Sequence, residues 1–169
     1  QHNHACRDGP GRLLVLGAIQ RRGRSHGYQV RADLESWGAH EWSNAKPGSI
    51  YHALKLMARE GLLLECATTP SPTGPPRVDY ELTESGADAY FTSLRRALTS
   101  PDPRIDLLSA AVGLIDDLPR AEAIELLRQR AAAMQAWHAT VAEQFKDSDD
   151  LERWGPIGEV LGLWLHTAS

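Results

Sequence analysis

Apolar positions fall at helical spacing from Arg12 onward. Leu13, Leu14, Leu16 and Ile19 predict a first, apolar-rich helix that runs out at "RRGRSHG". Ser25 stands where a cap belongs, ahead of a second helix, "HGYQVRADLESWG", in which Val30, Leu34 and Trp37 share one side at i, i+4 and i+7. Gly38 ends that helix and "AHEWSNAK" reads as a linker. Pro47 then opens a third helix, at a first-turn position where its missing N–H costs nothing. Spaced at about 100° per residue, Ile50, Ala53, Leu54, Met57 and Ala58 fall within one arc. The opposite arc carries Tyr51, His52, Lys55 and Arg59, with Gly48 between them, and Gly61 closes the helix.

The period then changes. "LLLECAT" and "RVDYELT" are short β-like runs joined by "TPSPTGPP", a hairpin whose proline-stiffened tip has Arg77 at its exit. The pattern places Thr83 as the N-cap of a further helix, with Gly86 at its third position, and "TSPDP" breaks the chain near residue 100. Beyond it the pattern is helical over roughly 104–117, 120–146 and 150–167. In the middle segment Ile124, Leu127, Ala131, Met134, His138, Val141 and Phe145 follow alternating steps of three and four, the stripe of a helix packed along another helix. The stripe alone leaves open whether that second helix belongs to the same subunit. The architecture expected is mainly α with a small β-hairpin: a tail over 1–11, a winged helix-turn-helix over 12–98, and an all-α domain over 104–169.

A winged helix presents its third helix to the DNA major groove, and this gives the polar face of 47–60 a chemical purpose. Lys55 and Arg59 can reach guanine acceptors or phosphates; Tyr51 and His52 offer donors and flat apolar surface. Gly48 and Ser49, at a helix N-terminus with free N–H groups, suit a phosphate, and Arg77 would lie over the neighbouring minor groove or backbone. The same fold also serves as a protein-docking module, so a winged-helix interaction protein without DNA binding is the alternative reading.

Charge refines this picture. The chain of 169 residues has a net charge of −4, which by itself argues weakly against a polyanionic partner. Residues 1–98 nevertheless carry +2 and residues 99–169 carry −6, so only the first part can face nucleic acid. No apolar run approaches the roughly 20 residues of a membrane helix, and "QHNHACRDGPG" lacks the order of a secretory signal, so a cytoplasmic protein is expected. Two cysteines make no disulfide framework; Cys66 reads as a small buried or strand residue. His2, His4 and Cys6 alternate in a way that an extended segment could use for a metal, but a tail with incidental histidines is the plainer reading. There is no nucleophile elbow, phosphate loop, His-Glu-x-x-His or paired-cysteine motif, so neither catalysis nor a cofactor is expected. "DSDD" at 147–150 and Asp116-Asp117 both read as solvated loop and cap residues.

The pieces "LVLGAI", "SHGYQVRADLE", "KPGSIYHALKLMAREGLL" and "GPPRVDYELTESGADAY", in that order, resemble the PadR family of bacterial transcriptional regulators over residues 12–98. The resemblance implies a homodimeric, repressor-type regulator that binds a double-stranded DNA operator. It makes Gly48, Ser49, Tyr51, His52 and Lys55 DNA-contact candidates, with Arg77 in the wing; Tyr28 would either touch backbone phosphate or pack between helices. The roughly 70 residues after the wing resemble the longer, phenolic-acid-regulator-like subgroup, which makes 104–169 a dimerisation domain. There the stripe from Ile124 to Phe145 would face the partner, His138 as an interface histidine. Such regulators commonly respond to a small molecule, and an aromatic effector makes Trp137, Trp154 and Trp164 stacking candidates by location; packing is the plainer role for each.

Overall fold

The computed structural model describes residues 9–42, 47–66, 68, 70–74, 76–101 and 105–146. The tail carrying His2, His4 and Cys6, and the last predicted helix with Trp154 and Trp164, lie outside the described residues. Helix α1, Pro10–Arg22, starts with proline in its first turn, and every residue from Leu13 to Ile19 is buried. A helix apolar all round belongs at the centre of a core. α1 accordingly packs against α2 (Gly27–Ser36), α4 (Pro47–Arg59), α5 (Glu84–Thr99) and α6 (Ile105–Gly113). The shared core draws Leu16, Leu34, Leu54, Met57, Tyr90, Leu94 and Leu98 together with Ala110, Ala111 and Leu114, so it extends past residue 104.

Between α1 and α2 runs a strand that the hydrophobic pattern did not announce. β1, Arg24–His26, pairs antiparallel with β3, Asp79–Leu82, whose other edge takes β2, Leu63–Glu65, in the order β1-β3-β2. Ser25, expected as a helix cap, is instead buried in this strand opposite Tyr80. The cap of α2 is His26. Its Nδ1 accepts from the Gln29 N–H at 3.2 Å, and its own N–H donates to Gln29 Oε1 at 3.3 Å. That reciprocal pair satisfies two orphan N–H groups at once.

The stretch expected as linker contains a short helix, α3, Ala39–Trp42, with Ala39 fully buried. The helix read as the third is therefore the fourth in chain order. Thr83 caps α5 as expected, accepting from the Gly86 N–H at 3.0 Å while donating to Gly61 O at 2.6 Å. Gly86 is required there by contact: a Cβ would stand 1.9 Å from Leu62 O.

The segment expected as one helix over 104–117 divides into α6 and a 3₁₀ turn, Ile115–Asp117. Asp117 is not the solvated loop residue expected. Tyr90, fully buried in α5, donates its hydroxyl to Asp117 Oδ2 at 2.6 Å, and Arg21 Nε donates to Oδ1 at 3.1 Å. Arg21 also donates to Gly113 O at 3.3 Å, and its guanidinium lies 5.6 Å from the Trp37 ring centre. Last comes α7, Arg120–Lys146, which packs on α5, has Ala123 buried and Leu126 partly buried, and is tied to the end of α5 by a bond from the Arg130 guanidinium to Ser100 O.

Candidate nucleic-acid interface

α4 has the two faces its sequence implied. Ile50, Leu54 and Met57 are buried, whereas Gly48, Ser49, Tyr51, His52, Lys55 and Arg59 are exposed. Neither Lys55 nor Arg59 makes an ion pair among the described residues. The acidic residue that follows, Glu60, turns away and pairs with Arg12 of α1. The helix thus shows two uncommitted cations on one side, one turn apart.

The sequence "HGY" supplies the side of the site next to α4. His26 caps α2, Gly27 lies beneath the Tyr51 ring, and Tyr28 points outward at 69% exposure. A Cβ on Gly27 would approach Tyr51 Cε1 to 2.6 Å, so the absent side chain is what lets α4 lie this close to the start of α2. In the single chain Tyr28 is not enclosed between helices. Its ring stacks on His26 at 6.3 Å between centroids.

Arg77 is exposed just ahead of β3 and also lies on this side. The His26 pKa is lowered, first by burial of the imidazole and next by the Arg77 charge, which places Arg77 within electrostatic reach of the α2 cap. The fold therefore brings Tyr28, Tyr51 and Arg77 around His26, from three separate parts of the chain. The capping role of His26 was not anticipated from the sequence. The signal was present in the spacing His26-x-x-Gln29, a capping box with histidine in place of serine or threonine.

Arg31 was also missed. It stands one turn after Tyr28 on the same exposed flank of α2 and donates to Glu35 Oε1 at 2.7 Å. The other two arginines of this region are committed to the fold. Arg22 forks onto both oxygens of Asp33 at 2.6 Å, and Arg24 pairs with Glu81 across β1 and β3.

The stripe expected on α7 is open to solvent in the single chain. Ile124, Leu127, Ala131, Met134 and the neighbouring Trp137 are exposed, and His138 is half-buried. The side chains of Val141 and Phe145 lie outside the described residues. Among the described residues no group of three or more His, Cys, Asp or Glu could hold a metal ion, and no helix is long and apolar enough to cross a membrane.

Residues 15–91 match the transcriptional regulator PadR-like family. Among solved structures, the chain is similar to the crystal structure of Bacillus subtilis PadR in complex with operator DNA. Identity is 24%, the match covers 94% of this chain and 98% of that one, and the TM-score is 0.47. No curated protein matches the sequence. The matched span runs from α1 through the wing into α5 and contains the whole exposed face of α4: this chain carries, over residues 15–91, a domain of the PadR-like transcriptional regulator family.

Proposed function

We propose that this protein is a dimeric, sequence-specific DNA-binding regulator acting in the cytoplasm, a repressor released from its operator by a small aromatic effector. The observation that carries the reading is the outer face of α4, where Lys55 and Arg59 are exposed and uncommitted beside Tyr51 and His52. A major groove about 12 Å wide admits an α-helix, and this face carries the donors and cations that read base edges and phosphates. Gly48 and Ser49 would meet a phosphate at the helix start, Tyr28 a backbone oxygen from α2, and Arg77 the adjacent groove or backbone.

Residues 12–98 would read DNA and residues 104–169 would hold the second subunit. The exposed apolar stripe on α7 supports the second role, because a lone chain leaves Ile124, Leu127 and Met134 in water at a cost that a partner helix removes. Binding to successive half-sites on one DNA face requires the dimer to hold its two α4 helices about 34–36 Å apart, one DNA turn. Trp137, half-exposed beside the stripe, offers a flat surface for an aromatic effector, with Trp154 and Trp164 as further candidates on the same stretch of chain.

A fluorescence-anisotropy titration against the DNA upstream of its own gene tests the proposal, at two salt concentrations and with a panel of phenolic and other planar aromatics. Specific, salt-sensitive binding is expected, weakened in Lys55→Ala and Arg59→Ala. A phosphate contact lowers the salt slope by about one unit and a base contact costs about 1–3 kcal/mol at one position. Binding unchanged in both variants would remove α4 from the interface. Release by one compound would name the effector class; indifference to the whole panel would overturn the aromatic effector.

A further inference from the structure

We propose that Arg31 of α2 is a DNA-phosphate contact held in reserve by Glu35, which competes with the phosphate for the guanidinium and so sets the affinity of the domain. The inference rests on the DNA-binding reading above. At about 100° per residue, Gly27, Arg31, Glu35 and Tyr28 fall in that order around one flank of α2, about 40° or less apart. Gly27 lies against Tyr51, so Arg31 is the next position outward along the seam between α2 and the exposed face of α4. The Arg31 pKa is raised, first by its bond to Glu35, and Tyr51 and Tyr28 add to the effect, so both phenols lie within electrostatic reach. Two aromatic hydroxyls and a guanidinium along one seam form a donor cluster of the kind that grips a phosphate.

The pairing with Glu35 is built to yield. Side-chain exposure is 42% for Arg31 and 47% for Glu35, whereas the acidic partners of Arg22 and Arg24 are 18% and 34% exposed. An i,i+4 pair with the cation on the N-terminal side is the weaker order on a helix, and in water it is readily exchanged. A phosphate offers Arg31 two oxygens in fork geometry and releases a condensed counterion. Glu35 meanwhile places a negative charge on the flank that would face the DNA backbone.

The test uses the full chain and a mixed-sequence duplex of about 30 base pairs, since a phosphate contact needs no operator. Affinity is measured from about 50 to 200 mM salt for wild type, Glu35→Gln, Arg31→Ala and the double variant. Glu35→Gln is expected to tighten binding about two- to fivefold, the equilibrium factor of a surface ion pair. Arg31→Ala is expected to lower the magnitude of the salt slope by about one unit. In the double variant Glu35→Gln should add nothing. An equal gain from Glu35→Gln with and without Arg31 would make it a general charge effect and overturn the proposal, as would no gain at all. Failure of the wild type to bind the duplex would instead sink the DNA-binding reading itself.

Discussion

The ring of Tyr51 lies over the bare Cα of Gly27, so close that a methyl at position 27 would come within 2.6 Å of it. This contact joins the first turn of α2 to the exposed face of α4. Because Tyr51 is still 42% exposed, it can swing outward, and a methyl there would displace the ring before it disturbed the core. Gly27→Ala is therefore expected to change stability by less than about 1 kcal/mol while weakening DNA binding. Urea denaturation and anisotropy on the same sample check both halves. Tyr51→Ala should weaken binding about as much, and combining the two should add little; additive losses would show that Gly27 acts elsewhere.

Asp117 takes two donors from the winged-helix part of the chain, the hydroxyl of buried Tyr90 and the guanidinium of Arg21. Burial and then the bond to Asp117 push the Tyr90 hydroxyl well above the ordinary phenol range, so it remains a donor throughout the working pH range. Asp117→Ala would strand that hydroxyl, at a cost of about 1–3 kcal/mol. In a Tyr90→Phe background the same substitution should cost much less, because the donor is already gone. Equal costs in the two backgrounds, read from urea midpoints, would place the stabilisation in the Arg21 pair instead.

His26 makes the start of α2 sensitive to acid. Its Nδ1 is an acceptor only while unprotonated, and burial, Arg77 and Arg22 hold the folded pKa below the ordinary 6.5, with Asp79 opposing them. A base whose pKa is lower in the folded state binds protons preferentially when unfolded, so stability rises with pH through that window. The His26 contribution is fully present above 6.5 and is lost as pH falls through the lower folded value. Asparagine keeps a cap acceptor that does not titrate. Denaturation midpoints of wild type should fall more than those of His26→Asn between about pH 7.5 and 5; parallel curves would discard His26 as the titrating group.

The exposed stripe on α7 should be where two subunits meet. Met134 is 42% exposed in the single chain, so Met134→Arg can be accommodated by the fold but not by an apolar interface. Sedimentation equilibrium should find the wild type dimeric and the variant dissociated, with unchanged helical circular dichroism. A Met134→Arg dimer as tight as wild type would move the interface off this face.

Much of the architecture was legible because helical periodicity is a local signal. Ile50, Leu54 and Met57 carry the buried side of α4 in their spacing, as Val30 and Leu34 do for α2, and Thr83 was recognisable as a cap by its place ahead of an apolar run. The polar face of α4 followed by elimination. Less legible were three-residue β1, too short to show alternation, and the turn of helix at Ala39–Trp42 inside a polar stretch.

By itself the sequence determined the spacing that makes α1, α2, α4, α5 and α7 helices, and that α4 has one apolar face and one cationic, aromatic face. Only the tertiary structure decided what those residues touch. Ser25 became a strand residue because Tyr80 lies opposite it, and the cap passed to His26. Asp117 became a half-buried acceptor because Arg21 and Tyr90 converge on it, and Gly27 became a contact point because Tyr51 arrives from 24 positions away. Spacing along the chain is short-range information set by the backbone period, whereas a partner for a buried polar atom or a bare Cα is supplied by packing between segments distant in sequence.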